Sequence, residues 1–537
     1  MSEPSEEALS TTATRFSGVG EPPPHPRLHF GLRCAATVPQ DQPPQEPDSQ
    51  SIAGIQPKRA VQQISSGASI ARNSGAASLA QVVSLLAGYA ILYMAALRLG
   101  KVGVGTLGVM LTATLLGQLV AAAGLSARLG RLIAQKPKDA GGELGRSLLL
   151  ASLSGLVVAG AVVAGAAVGW LPPMPQAALG LAAAAIVPGS VATTCEGFMT
   201  GRERVAWAAF SNAVEGVVRF AIAAGLLIAG FGLTGVAVAL LASRLFAAGL
   251  DLYLINRRWG VRPRLRQPEL MVDTFRAAIP LYGTLVLVAM FVRADLLILA
   301  RVSGAAQAGL YVAGHRPVEA ALVIPGSMIS GLYPVLSRQA AADPAAVQRT
   351  FEKAVLVTAG MMAGATAFLA VDADVVIRLL FPHGFEGAAP VLALSALVLV
   401  PASLDSATTS LMLARGKLKR ALVPIAIGVV VLLVLNLVLD PRLGAMGAAV
   451  ARPIAASVIA VINASLSLRG VGSRWFGMRL LGMLGSAVLF AAFLWVGRGV
   501  PIISVPVAGL VYLACLGLGR VITIDDLRAL RAKPVRA

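Results

Sequence analysis

The chain is 537 residues long, 56% hydrophobic and only 13% charged, with a mean hydropathy of +0.77. Soluble domains carry about 25% charged residues, so too few remain to solvate the roughly three or four globules that this length would otherwise imply. A formal net charge of +19 raises nucleic acid as a partner, but 5% aromatic residues leave little for base stacking, and the placement of the basic residues accounts for the charge.

In chain order, residues 1–70 come first and differ from the rest. They run through Glu21-Pro-Pro-Pro-His-Pro26 and Pro39-Gln-Asp-Gln-Pro-Pro-Gln-Glu-Pro47 without apolar periodicity. Such a segment buries too little apolar surface to offset chain entropy, so disorder is expected. It has no basic region followed by an apolar stretch, so no cleavable signal peptide is expected. An upstream start codon and a docking arm both explain its presence.

From residue 75 the sequence breaks into fourteen apolar runs of bilayer-spanning length: 75–97, 103–125, 147–170, 176–199, 207–230, 234–256, 277–299, 308–336, 354–371, 388–412, 421–439, 445–467, 479–497 and 500–519. The eighth is long and contains Pro317, Pro325 and Pro334; the ninth is short. The 56 glycines fit close-packed membrane helices. Cys34, Cys195 and Cys515 are too dispersed for a disulfide framework or a metal site, and no cofactor motif stands in a credible context.

The connections give a direction. The even-numbered ones carry most of the basic residues, for example Arg128, Arg131, Lys136 and Lys138, then Arg257, Arg258, Arg262, Arg264 and Arg266, then Arg415, Lys417, Lys419 and Arg420. The odd-numbered ones hold only Arg98, Lys101, Arg301, Arg378, Arg442 and Arg498. By the positive-inside rule both termini and all even connections are expected in the cytoplasm. The charge is therefore a topology signal, and nucleic acid is not expected as a partner.

The sequence also repeats. Gly232-Leu-Thr-Gly235-Val-Ala237-Val-Ala239 opens the sixth span, and Gly444-Ala-Met-Gly447-Ala-Ala449-Val-Ala451 opens the twelfth, 212 residues later. A weaker pair is Gly105-Thr-Leu-Gly-Val109 with Gly309-Leu-Tyr-Val-Ala313. The expected fold is an all-α polytopic membrane protein of about fourteen transmembrane helices. Its parts are a tail at 1–70, a six-helix repeat at 71–256, a basic linker at 257–276 and a second, parallel six-helix repeat at 277–467. Two further spans at 468–519 and a basic tail at 520–537 complete it. Two parallel repeats around a midplane site are a transporter architecture.

Val292-Arg293-Ala-Asp295-Leu-Leu-Ile-Leu299, Ala308-Gly309-Leu-Tyr311-Val-Ala313, Leu332-Tyr333-Pro334-Val-Leu-Ser337 and Leu380-Phe381-Pro-His-Gly384-Phe385 carry a resemblance. With Asp440-Pro441-Arg-Leu-Gly444-Ala-Met-Gly447, they resemble polysaccharide-transport flippases of the multidrug/oligosaccharidyl-lipid/polysaccharide (MOP) exporter superfamily, over residues 72–470. The resemblance implies a flippase that moves a polyprenyl-diphosphate-linked oligosaccharide across the inner membrane for O-antigen, exopolysaccharide or capsule assembly. It implies membrane lipids as surroundings and polysaccharide polymerase or ligase machinery as candidate partners. The 70-residue tail departs from the family pattern.

Charges within spans need a reason, because each costs about 2.5–3.5 kcal/mol at the bilayer centre on insertion scales. Arg219, Arg244, Arg293, Arg316 and Arg452 fall within spans, as do Glu196, Glu215, Asp251, Asp295, His315, Glu319 and Asp405. The five arginines are the candidate substrate-binding residues, since guanidinium stays charged and grips phosphate oxygens with parallel donors. Glu215, Asp295 and Glu319 are their candidate ion-pair partners: Glu215 precedes Arg219 by four residues, and Arg316 precedes Glu319 by three. Arg244 and Asp251 share a helix face two turns apart, and Asp251 and Glu196 stand near helix ends where water is within reach. The structural alternative is ion pairing that only fixes helix packing, with Arg293 and Arg316 snorkelling outward. Prolines within spans are candidate bending points, above all the cluster in the eighth.

An integral-membrane polymerase or ligase would need a large outer loop, and the longest here, 372–388, is too short. Asp372-Ala-Asp374 imitates a metal-binding motif but reads as a solvated turn, so neither a catalytic nor a metal site is expected. Within transporters the alternatives are a multidrug or cation-coupled exporter of the same superfamily and a flippase for a lipid-linked peptidoglycan precursor.

Overall fold

The computed structural model describes residues 58–135, 139–265, 268–342, 344–415, 418–467, 474–497, 507 and 509–512. The chain divides into two units, Met1–Gln63 and Ile64–Ala537, and every contact described below lies within the second. Residues 1–57 of the expected disordered tail, the basic tail at 520–537 and most of the fourteenth span lie outside the described residues. Residues 58–70 correct one expectation, because they are helical. After Pro57 no proline occurs until Pro137, so no proline interrupts the helix before its end at Ala134.

The described residues contain helices and no strand. The first half is built from α1 (Lys58–Ala134), α2 (Ala140–Ala167), α3 (Gln176–Ala184), α4 (Ile186–Gly201), α5 (Val205–Ile228) and α6 (Gly232–Trp259). The second half is α7 (Met271–Ala342), α8 (Pro344–Val371), α9 (Ala373–Leu380), α10 (Ala388–Ala396), α11 (Leu399–Ala414), α12 (Leu418–Leu443) and α13 (Ala445–Ser467). Helix α14 (Arg474–Val496) follows and packs on α8. In a bilayer only internal hydrogen bonding satisfies the backbone, which is why the apolar runs resolve into helices.

The two halves repeat their packing. Helix α5 packs on α6 as α12 packs on α13, α2 on α4 as α8 on α11, and α4 on α6 as α11 on α13. Each half begins with two spans joined at one glycine, Gly100 in α1 (φ 63°) and Gly304 in α7 (φ 84°), and only glycine takes these values freely. The fourth and tenth spans each break into two helices, α3–α4 and α10–α11, with Pro188 and Pro401 in the first turns after the breaks. The eighth span stays helical through Pro317, Pro325 and Pro334, and the non-helical φ/ψ within α7 falls at Gly304.

Nine stretches of the described residues are long and apolar enough to cross a membrane; the first, Ala80–Ala122, holds the first two expected spans. The outgoing arm of α7 carries Arg293, Asp295 and Arg301, and its return arm His315, Arg316 and Glu319.

The halves meet where the second arm of α1 crosses the return arm of α7. A Cβ on Gly105 would lie 1.8 Å from the Ala305 carbonyl oxygen, and one on Gly309 would lie 1.9 Å from that of Lys101. Only glycine on both sides allows this approach. At the other end of the same arm, Tyr282 of α7 donates its hydroxyl hydrogen bond to the Val120 carbonyl. Both contacts bring α7 against α1 and leave a polar space between them. The Asp372-Ala-Asp374 segment is not the solvated turn expected: Asp372 is buried just ahead of α9, and Asp374 alone is exposed.

Candidate functional site

A cavity of about 150 Å³ lies between the halves, and all five candidate arginines line it. Arg219 comes from α5, Arg244 from α6, Arg293 and Arg316 from the two arms of α7, and Arg452 from α13. Helix α1 contributes Thr112 and Gln118 to the same wall, and Gly88, where a Cβ would come within 3.0 Å of an Arg316 Nη. A wider cavity of about 550 Å³ shares Arg293, His315, Arg316, Glu319 and Arg452 with the first and continues to Gln81, Ser84, Asp405 and Ser406. The shared residues make a polar partition.

In the first half, Glu215 serves two arginines. Its Oε1 lies 3.4 Å from Arg219 Nη1, the predicted one-turn pair, and its Oε2 lies 3.5 Å from Arg244 Nη1. Ser243 donates its hydroxyl to Glu215 Oε1 at 3.0 Å. Arg244 therefore turns to α5 and not along its own helix to Asp251. Asp251 is 1% exposed, so the expectation that it reaches water fails.

The second half has two tighter assemblies. Glu319 accepts from Arg293 Nη1 at 2.8 Å and from Arg316 Nη1 at 2.7 Å, tying the two arms of α7 together. These arginines are thus held within the bundle, which replaces the snorkelling alternative. Asp295 accepts from Arg452 Nη1 and from the Tyr311 hydroxyl, each at 2.5 Å, while Arg452 Nη2 donates to the Val292 carbonyl at 2.9 Å. Charge-assisted bonds of this length are the strong ones. Asp405 is held separately, by Asn463 Nδ2 at 2.6 Å and Thr409 Oγ1 at 3.3 Å.

The charges do not cancel. Five guanidiniums and two carboxylates, Asp295 and Glu319, line the smaller cavity, and Glu215 stands behind its two arginines. The balance is +2, in a space of low polarisability where each charge acts over a longer range than in water. Sequence reasoning named the arginines and the three acids. It passed over Tyr311, whose role as a third party to the Asp295–Arg452 pair needs contacts across 157 residues of chain. It noted His315 without a role.

Residues 70–339, half of the chain, match the family described as polysaccharide biosynthesis protein. Residues 319–502 match the lipid II flippase MurJ. The chain matches no curated protein sequence. Among solved structures, the lipid II flippase MurJ in an inward closed conformation superposes with a TM-score of 0.71 at 12% identity, over 84% of this chain and 99% of its own. An inward-facing multidrug resistance transporter of the MATE family, in the MOP superfamily, gives 0.61 at 15% identity over 74% of this chain and 94% of its own. A MOP superfamily transporter from Pyrococcus furiosus gives 0.54 at 14% identity, with 77% and 96% covered. At these identities the likeness is one of fold, and the fold is that of polytopic MOP transporters.

Proposed function

Because the chain belongs to the polysaccharide biosynthesis protein family, we propose that it moves a polyprenyl-diphosphate-linked oligosaccharide across the inner membrane by alternating access. The observation that carries the reading is the +2 balance of the inter-half cavity. A diphosphate diester carries one ionised oxygen on each phosphorus, so its charge matches. Arg219, Arg244, Arg293, Arg316 and Arg452 are its binding residues, with Glu215, Asp295 and Glu319 orienting them. The lipid chain stays in the bilayer while diphosphate and sugar pass between the halves.

The distribution of basic residues supports cytoplasmic termini and cytoplasmic even connections. Glycosyltransferases supply the cargo, and a polymerase or ligase consumes it outside; the protein itself performs no covalent chemistry. The match of residues 319–502 to a lipid II flippase favours a second cargo, a lipid-linked peptidoglycan precursor, which shares the diphosphate. A cationic drug fits a positive wall poorly.

Cargo identity and site are tested together. Deletion of the gene should accumulate a complete polyprenyl-linked oligosaccharide or peptidoglycan precursor facing the cytoplasm, identified by mass spectrometry. Complementation with Arg219→Ala should leave flux reduced about tenfold or more, the loss of one charge-assisted contact, while the folded protein level is unchanged. Wild-type flux in that variant would remove the cavity from the mechanism.

A further inference from the structure

One wall residue has no part in the ion pairs. His315, on the return arm of α7, is 5% exposed and lines both cavities. Its ring stacks on Tyr311 with centroids 5.3 Å apart and planes 7° from parallel. Tyr311 is itself fixed through its hydroxyl on Asp295, so the imidazole cannot swing toward another part of the protein without breaking that stack. Among the described residues neither Nδ1 nor Nε2 has a hydrogen-bond partner. The arginine and carboxylate groups of α7 that share the cavity wall with His315, Arg293, Asp295, Arg316 and Glu319, are all paired. Buried polar atoms are nearly always satisfied, so two unpartnered ring nitrogens in a side chain that lines both cavities point to something that enters them.

We propose that His315 is a proton-binding residue of the cargo site, taking up a proton from solvent as the diphosphate arrives and donating an N–H to it. The inference rests on the diphosphate reading above. Its physical basis is the set of charges that face the ring. On the outgoing arm of α7 these are Arg293 and Asp295, on its own arm Arg316 and Glu319, and on α13 Arg452. Helices α5 and α6 add Arg219 and Arg244 across the smaller cavity, and α11 adds Asp405 in the larger one, while α1 presents uncharged Thr112 and Gln118. Without cargo, burial away from water and the excess of guanidiniums over carboxylates both oppose a further positive charge. Two negative charges arriving beside the ring remove that opposition. Reciprocity then requires the proton to tighten the anion by the same factor that the anion tightens the proton.

The test uses the full chain in lipid nanodiscs, with inorganic pyrophosphate as probe. Calorimetric titrations in buffers of different ionisation heat, between about pH 6.5 and 7.5, count the protons taken up. Wild-type protein should take up a sizeable fraction of a proton more than His315→Gln, and its affinity should fall more steeply with pH, by at most about tenfold per unit for one linked proton. The variant should still bind, with the pH dependence of pyrophosphate alone. Equal uptake in both proteins overturns the role of His315. Absence of pyrophosphate binding in both proteins overturns the diphosphate reading, and this inference with it.

A second measurement avoids substitution at 315. The chain has four histidines, His25, His29, His315 and His383. A variant with the other three changed to Gln, ring-labelled with ¹⁵N, reports His315 alone. Pyrophosphate should convert its neutral pattern toward imidazolium; an unchanged spectrum at saturating probe overturns the proposal.

Discussion

In the first half one carboxylate, Glu215, stands 3.4 and 3.5 Å from two arginines, whereas in the second Glu319 holds two at 2.8 and 2.7 Å and Asp295 holds Arg452 at 2.5 Å. The backbones of the same regions are near copies. Gly100 and Gly304 turn the first two spans of each half, and Gly232 (φ 57°) and Gly444 (φ 58°) open α6 and precede α13, 212 residues apart. Duplication preserved what the fold needs at each turn, but the polar side chains of the two halves now differ. One half presents arginines on a long, shared tether; the other presents arginines locked into position. On the proposed reading, the second half gives the cargo site a fixed wall and the first half an adjustable one.

The largest effect that distinguishes the walls comes from removing their acids. Asp295→Ala leaves Arg452, 8% exposed, and the Tyr311 hydroxyl without their acceptor. Orphaning one member of a buried pair costs about 3–5 kcal/mol, so thermal melting in detergent should show a marked loss or no folded protein. Glu215→Ala should cost clearly less, because its longer contacts are weaker and Arg219 is 19% exposed to the cavity. Equal losses in the two variants would break the comparison.

Much of this arrangement was legible in the sequence, and the limits are physical. Apolar run length gave the spans, and glycine spacing gave the repeat, because both are local. Glu215–Arg219 and Arg316–Glu319 were readable since three or four residues is one helical turn. The Arg244–Glu215 and Arg452–Asp295 pairs were not, since they depend on which faces two helices present to each other. Asp251 shows the cost of reading position alone: nearness to a helix end suggested water, yet neighbouring helices bury it. The effect of a proline on a helix depends on whether neighbours supply the lost bond, and in the eighth span the helix persists through all three.

The repeated part of the molecule should respond symmetrically where the charges do not. Gly105→Val and Gly309→Val each place a side chain against the carbonyl of the opposing arm. Backbone cannot yield as a side-chain tip can, so each should cost about 1–3 kcal/mol in the crossed arrangement. Disulfide formation between Lys101→Cys and Ala305→Cys should slow by a similar factor in either background, since the two glycines are equivalent across the repeat. A large effect at one glycine and none at the other would show that the crossing is not shared by the two halves.

The smallest expected effect isolates one hydroxyl in each wall. Ser243 donates to Glu215 at 3.0 Å, and Tyr311 donates to Asp295 at 2.5 Å. Side-chain hydrogen bonds in membrane bundles average about 0.6 kcal/mol and reach about 1.7. Ser243→Ala should fall near the average, because Glu215 keeps two arginines and its carboxylate can shift toward them. Tyr311→Phe should approach the upper figure, because Asp295 and Arg452 are nearly excluded from water and nothing replaces the lost donor. The phenylalanine ring still stacks on His315, so the difference in melting between the two variants reports the hydroxyls and not the aromatic contact. If Ser243→Ala proves the costlier of the two, Glu215 is the more rigidly held acid, and the adjustable wall is the one built by the second half.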